Sequence, residues 1–361
     1  MKQIPIVPFP YGAESNGFMA ALASAILPCL GITADTPYYC APKGSHCIHC
    51  SGCDPLCKHQ EMLYHTLLTA SGLAFTFDYP EDDNVSFHTL PNIPVGWRWE
   101  EPFVSDLMSF AGLAYTRYVS RSILDMRNIL LSAIDAGYPA LCANHGPWKD
   151  EAEWARCWNI VCGYTDEGLL LMRHGGQVVV ETDSLYDDWI VITGHIERKA
   201  SYHSLLEKIA AILSHSSHDA LEREIMEDLG RVTPENAVST VFKMLGINGV
   251  PIEARWHAAE AFVSRENLIS SLTDDDDLKT KLADLFFDRY IADNNDETHG
   301  IGWKIWGALK CGPETGYMPT EESFALIQQP SVQSELRRLF QIIFANDRAV
   351  ATGIRALLAS E

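Results

Sequence analysis

The chain has 361 residues, 47% of them apolar and 21% charged, enough to pack two ordinary domains or one large one. Lys and Arg number 27 against 48 Asp and Glu, a formal net charge of -21. That balance excludes an extended phosphate-binding surface and disfavours an anionic membrane surface, so no nucleic acid and no membrane is expected as a partner.

The N-terminal Met1-Lys2-Gln3-Ile4-Pro5 lacks the apolar stretch of a signal peptide, and no run of about 18 apolar residues occurs. The expected compartment is the cytoplasm. Helical spacing of Met19, Leu22, Ala23, Ile26, Leu27 and Leu30 predicts a buried helix over 17–30, stopped by Gly31. Further helices are expected over 62–71 and 122–136, the latter ended by Gly137. Short apolar runs at 138–142, 158–164 and 189–193, with a hairpin at 169–172 and 177–181 around Gly175-Gly176, read as strands. A helix early and antiparallel strands late predict an α+β domain over 1–198.

The composition turns helical near residue 199. Helices are expected over 202–213, 219–229, 234–245, 252–271, 275–293, 299–309 and 332–358, forming an all-helical domain over 199–361. Thr233-Pro234-Glu235 reads as a helix start. The acidic run Asp274 to Asp277 reads as a solvated N-terminal cap rather than a cation site.

Ten cysteines need explaining in a reducing compartment. Cys47, Cys50, Cys53 and Cys57 follow C-x2-C-x2-C-x3-C, the spacing of the bacterial ferredoxin run. Small Ser, Gly and Pro residues let such a loop wrap one ion or cluster. A [4Fe–4S] cluster is one reading, although Lys58 stands where ferredoxins have Pro. Zinc is another, with Cys40 and His59 widening the ligand frame. Disulfides or unligated thiols are the third. The segment 40–59 is thus a Cys-rich insertion and the candidate metal site.

The order of pieces in the first half resembles the papain-like fold, in its peptidase-C39-like branch that includes the N-terminal domain of butirosin-biosynthesis-H-like proteins. The matching pieces are Phe18 to Ser24, Gly137-Tyr138-Pro139-Ala140-Leu141, Cys157-Trp158-Asn159-Ile160-Val161-Cys162-Gly163-Tyr164, Leu169 to Met172, and Asp187 to Ile192. The resemblance implies a nucleophilic Cys opening the first helix, a His at the strand start, and an orienting polar residue. Aligned on these pieces, Gly17 stands at the Cys position, Cys157 at the His position, and Arg173 or His174 at the third. Glycine has no nucleophile, and a thiol with a reference pKa of about 8.5 is a poor general base. The resemblance therefore implies a degenerate member that binds a small peptide-, amino-acid- or acyl-type ligand. His145 and Trp148, in the loop after a strand, are its candidate ligand contacts, although loop packing is the simpler role for them.

Two alternatives remain open on the sequence. One is an active thiol peptidase or acyltransferase with a displaced nucleophile, such as Cys157 with His174 or His145 as base, or Ser15 facing the cleft. The other is a zinc-dependent or iron–sulfur redox or metal sensor. A homo-oligomer is compatible with either. His195, His203, His215, His218 and His257 show no ligand spacing among themselves.

Overall fold

A computed structural model describes residues 1–8, 17–33, 35–36, 55–75, 101–143, 158–173, 176–247, 252–264, 267–292, 300–316 and 318–360. The first helix, α1 (Gly17–Ile26), is apolar on every side, and all residues from Phe18 to Leu27 are buried. It ends earlier than its periodicity suggests. Pro28 has no N–H to continue the ladder, so a 3-10 turn over Pro28–Leu30 follows. Gly31 closes that turn at φ +69°, its N–H donating to the Pro28 carbonyl.

The second helix, α2 (Pro55–Ser71), starts seven residues before the expected position, with Pro55 in the first turn, where a missing N–H costs nothing. Cys57 and His59 are therefore helical residues rather than loop residues. Helix α3 (Glu101–Ala111) and the long edge strand β2 (Leu113–Ser122) were not anticipated. Most of β2 is only half-buried or exposed, so its sequence carries no clean apolar alternation. Helix α4 (Ile123–Asp135) begins with a capping box: Ser122 Oγ accepts the Asp125 N–H and Asp125 Oδ2 accepts the Ser122 N–H, each at 3.2 Å.

The remaining strands are β1 (Lys2–Gln3), β3 (Ala140–Ala143), β4 (Asn159–Tyr164), β5 (Leu169–Met172), β6 (Val178–Glu181) and β7 (Leu185–His195). They form an antiparallel sheet in the order β2-β7-β3-β4-β5-β6, with β1 added to the far end of β4. Alternate residues face opposite layers. Ala140, Cys142, Val161, Leu171 and Val191 pack under α4, while Leu141, Ile160, Cys162, Met172 and Ile190 join the core that contains α1. Both faces are covered, which is why β3, β4 and β5 read as unbroken apolar runs. The fold is thus mixed helix and antiparallel sheet, as expected.

Among the described residues the α-helices that follow are α5 (Tyr202–Leu213), α6 (Ser216–Gly230), α7 (Ala237–Ile247), α8 (Glu253–Val263), α9 (Asp276–Phe286), α10 (Ile301–Ala308), α11 (Glu321–Leu326) and α12 (Pro330–Leu358). Two sequence expectations need correction. Thr233 to Asn236 close a turn on themselves, with Asn236 Oδ1 accepting the Thr233 N–H at 2.7 Å, so α7 begins only at Ala237. The helix expected over 252–271 breaks after Val263. Asn267 Nδ2 donates to the Ala261 and Ser264 carbonyls while its Oδ1 accepts from the Ile269 and Ser270 N–H groups. One side chain thereby ends α8 and opens the 3-10 turn Ser270–Leu272. The acidic run behaves as expected: Asp275 Oδ1 caps α9 by accepting the Leu278 N–H at 2.9 Å.

The step from sheet to helices falls between His195 and Tyr202, close to residue 199. The core does not divide there. One apolar cluster runs from Met19, Tyr64 and Ile190 through Leu206, Ala258 and Phe286 to Val350. A second gathers Ile225, Val241, Ile305 and Phe340, and α12 contributes to both. A buried ion pair joins α8 to α12 within the helical half. Arg255 on α8 donates from Nε and Nη2 to the two carboxylate oxygens of Asp347 on α12, at 2.8 and 2.7 Å, and both residues are 1% exposed. Tyr290 Oη also donates to Asp347, and Arg255 reaches the Phe75 carbonyl behind α2.

Candidate functional site

Three elements meet at one end of the sheet. Gly17 opens α1, Trp158 immediately precedes β4, and β5 ends at Met172 opposite Ile160. The Phe18 and Trp158 rings lie 4.8 Å apart, so the start of α1 sits against the start of β4. Arg173 leaves the sheet on the same side, and its guanidinium is committed to Glu181 at 2.6 Å. Of the positions singled out in the sequence, Gly17 is the first residue of α1 and offers no side chain. Cys157, His174, His145, Trp148 and Ser15 lie outside the described residues, as do Cys40, Cys47, Cys50 and Cys53.

Cys57 is exposed in the first turn of α2, and His59 Nε2 lies 3.0 Å from the Thr36 carbonyl oxygen. Among the described residues, no group of three or more His, Cys, Asp or Glu is gathered as a metal site. The described interior thiols are ill suited to nucleophilic work. Burial pushes Cys29 up to about 12 and Cys162 up to about 11, and Cys142 is likewise raised.

A cleft of about 530 Å³ lies at the opposite end of α1. Ile32, Met62 and Thr66 line one wall, and Asn267 and Lys279 the other, with His59 at the α2 side. Its walls come from both sides of residue 199, a common setting for a ligand.

Sequence reasoning missed a third feature. His65 on α2 and His257 on α8 are 3% and 4% exposed, with ring centroids 4.5 Å apart. None of their four ring nitrogens has a hydrogen-bond partner. Leaving such a buried group without a hydrogen bond costs about 1–3 kcal/mol. Tyr64 meets the His257 ring edge-on, and Trp256 meets that of His65. Burial first, and the neighbouring His257 second, hold His65 well below the ordinary imidazole range, so it is neutral at pH 7. The signal was present in the sequence as two copies of one spacing, Glu61-x3-His65 and Glu253-x3-His257, each placing a carboxylate and an imidazole on one helix face. The two copies are too far apart in the chain to be read together.

No helix among the described residues is long and apolar enough to cross a membrane. Comparison with known proteins finds no matching family model, no matching curated protein and no matching solved structure.

Proposed function

We propose that the chain is a papain-like, C39-like protein that has lost its catalytic dyad and uses the remaining cleft to bind a small peptide-, amino-acid- or acyl-type ligand. The observation that carries this reading is the contact between Phe18 and Trp158. Phe18 and Trp158 each follow, in the sequence, a position where the resemblance expects a thiol nucleophile or its imidazole base, and the sequence has Gly17 and Cys157 at those positions. Activated thiol catalysis needs both groups within hydrogen-bond reach of each other. A site with neither in its place keeps shape and loses chemistry. Arg173 pairs with Glu181. The Cys-rich segment 40–59 is read alongside as a metal loop holding zinc or a [4Fe–4S] cluster through Cys47, Cys50, Cys53 and Cys57, with Cys40 or His59 as substitutes.

The test combines turnover with binding. Purified protein is assayed on fluorogenic peptides and acyl thioesters, and its melting temperature is scanned against dipeptides and N-acyl amino acids. The expected result is no turnover by wild type or by Gly17→Cys, with a melting shift from at least one ligand class. Turnover that disappears in Cys157→Ser would establish the displaced-nucleophile enzyme instead. An oxygen-sensitive brown chromophore would favour the redox sensor.

A further inference from the structure

We propose that His65 and His257, with Glu61 and Glu253, form a binding site for one zinc-class divalent transition-metal ion between α2 and α8. The proposal is independent of the papain-like reading and of the Cys-rich segment. It rests first on the pair of buried imidazoles, none of whose four nitrogens has a hydrogen-bond partner. Neutral imidazole is the form that ligates metal.

The second observation is the position of the carboxylates. Glu61 Oε1 lies 4.0 Å from His65 Nε2, and Glu253 Oε1 lies 3.6 Å from His257 Nε2. Ligand atoms bonded at about 2.0–2.1 Å around a tetrahedral ion are themselves about 3.3 Å apart. Each Glu–His pair is therefore near that separation already. Both pairs have the i,i+4 spacing that lets one helix face present two donors to one ion. The shell is not closed in the structure, where no three such groups converge. Closing it requires the Glu61 and Glu253 side chains, 29% and 38% exposed, to swing inward by a rotamer change. Tyr64 packs edge-on against the His257 ring and Trp256 against that of His65.

The helices around the pair explain why such a site suits this place. α2 and α8 belong to opposite sides of residue 199. An ion shared between them would tie the sheet-bearing half to the helical half, and its charge of +2 would be balanced by the two carboxylates.

The test uses the full chain, stripped of metal and titrated with Co²⁺, whose spectrum separates nitrogen and oxygen ligands from thiolates. The expected result is about one equivalent with nitrogen–oxygen ligand-field bands, besides any sulfur charge-transfer band from an ion held by the Cys-rich segment. The nitrogen–oxygen signal should persist in Cys50→Ser, weaken at least tenfold in Glu253→Gln, and vanish in His257→Leu. Metal-free His257→Leu should melt no lower than wild type, because an imidazole without hydrogen bonds has been replaced by an apolar side chain. If His257→Leu does not fold, His65→Gln serves in its place. Absence of the nitrogen–oxygen spectrum in wild type, or its survival in the histidine variants, would overturn the site. A sulfur band alone would assign the bound ion to the cysteine segment and likewise refute it.

Discussion

Asp347 accepts hydrogen bonds from Arg255 and Tyr290 in a place water does not reach. A buried pair of this kind adds little against an apolar replacement, but removing one partner strands the other charge. Asp347→Asn keeps the shape and removes the charge. It is expected to lower stability by about 3–5 kcal/mol in urea denaturation, with the double replacement Arg255→Met, Asp347→Leu costing less. A loss below about 1 kcal/mol for the single variant would mean the guanidinium finds other acceptors. Such pairs were not legible in the sequence, because Arg255 and Asp347 are 92 positions apart and nothing local marks either as buried. Asp275 was legible for the opposite reason: its role as a cap is set by three neighbouring residues.

At the scale of elements, local signals worked where one residue decides locally and failed where tertiary packing decides. Ser122 and Gly137 bracket α4 as expected. Pro28 cut α1 short, and Asn267 cut α8 short through a side-chain network that periodicity cannot report. The candidate site was half legible. The Gly17 position could be read from one end of a helix, while the pairing of His65 with His257 depends on the packing of α2 on α8. Strand β1 depends on a different local feature. A Cβ at Gly163 would lie 2.4 Å from the Lys2 carbonyl oxygen and 2.9 Å from Gln3 Cα. Gly163→Ala should therefore push β1 off the sheet at a cost of about 1–3 kcal/mol. Hydrogen exchange checks this at the Ile4 amide, which donates to the Cys162 carbonyl at 2.7 Å. Its protection should fall while the amides between β4 and β5 stay protected; unchanged exchange at Ile4 would count against the close approach.

At the scale of the molecule, the change of composition near residue 199 marks a change of element type, not an edge of the core. Trp256 packs on His65 across that line, and Val350, Ala351 and Ile354 of α12 sit in the same cluster as α1. Trp303 and Trp306 pair with each other, and Trp306 packs against the second cluster. A fragment of 199–361 is expected to be helical by circular dichroism but to lack a cooperative thermal transition, because α5, α8 and α9 lose the surface they cover. A sharp melt of that fragment would show that the cluster around Ile225 and Phe340 suffices alone.

Helix α12, with its 29 residues, is the only described helix that lends side chains to both large clusters and a counter-charge to Arg255. It is also the last of the described elements to leave the ribosome. With synthesis at about 5–20 residues per second, the 92 positions between Arg255 and Asp347 amount to about 5–20 s. Throughout that interval the nascent chain carries an uncompensated guanidinium and two unsealed apolar surfaces. Pairing of Arg255 and sealing of both clusters therefore wait on synthesis of α12, and a ribosome that slows between Arg255 and Asp347 lengthens the exposure of those surfaces to chaperones and proteases.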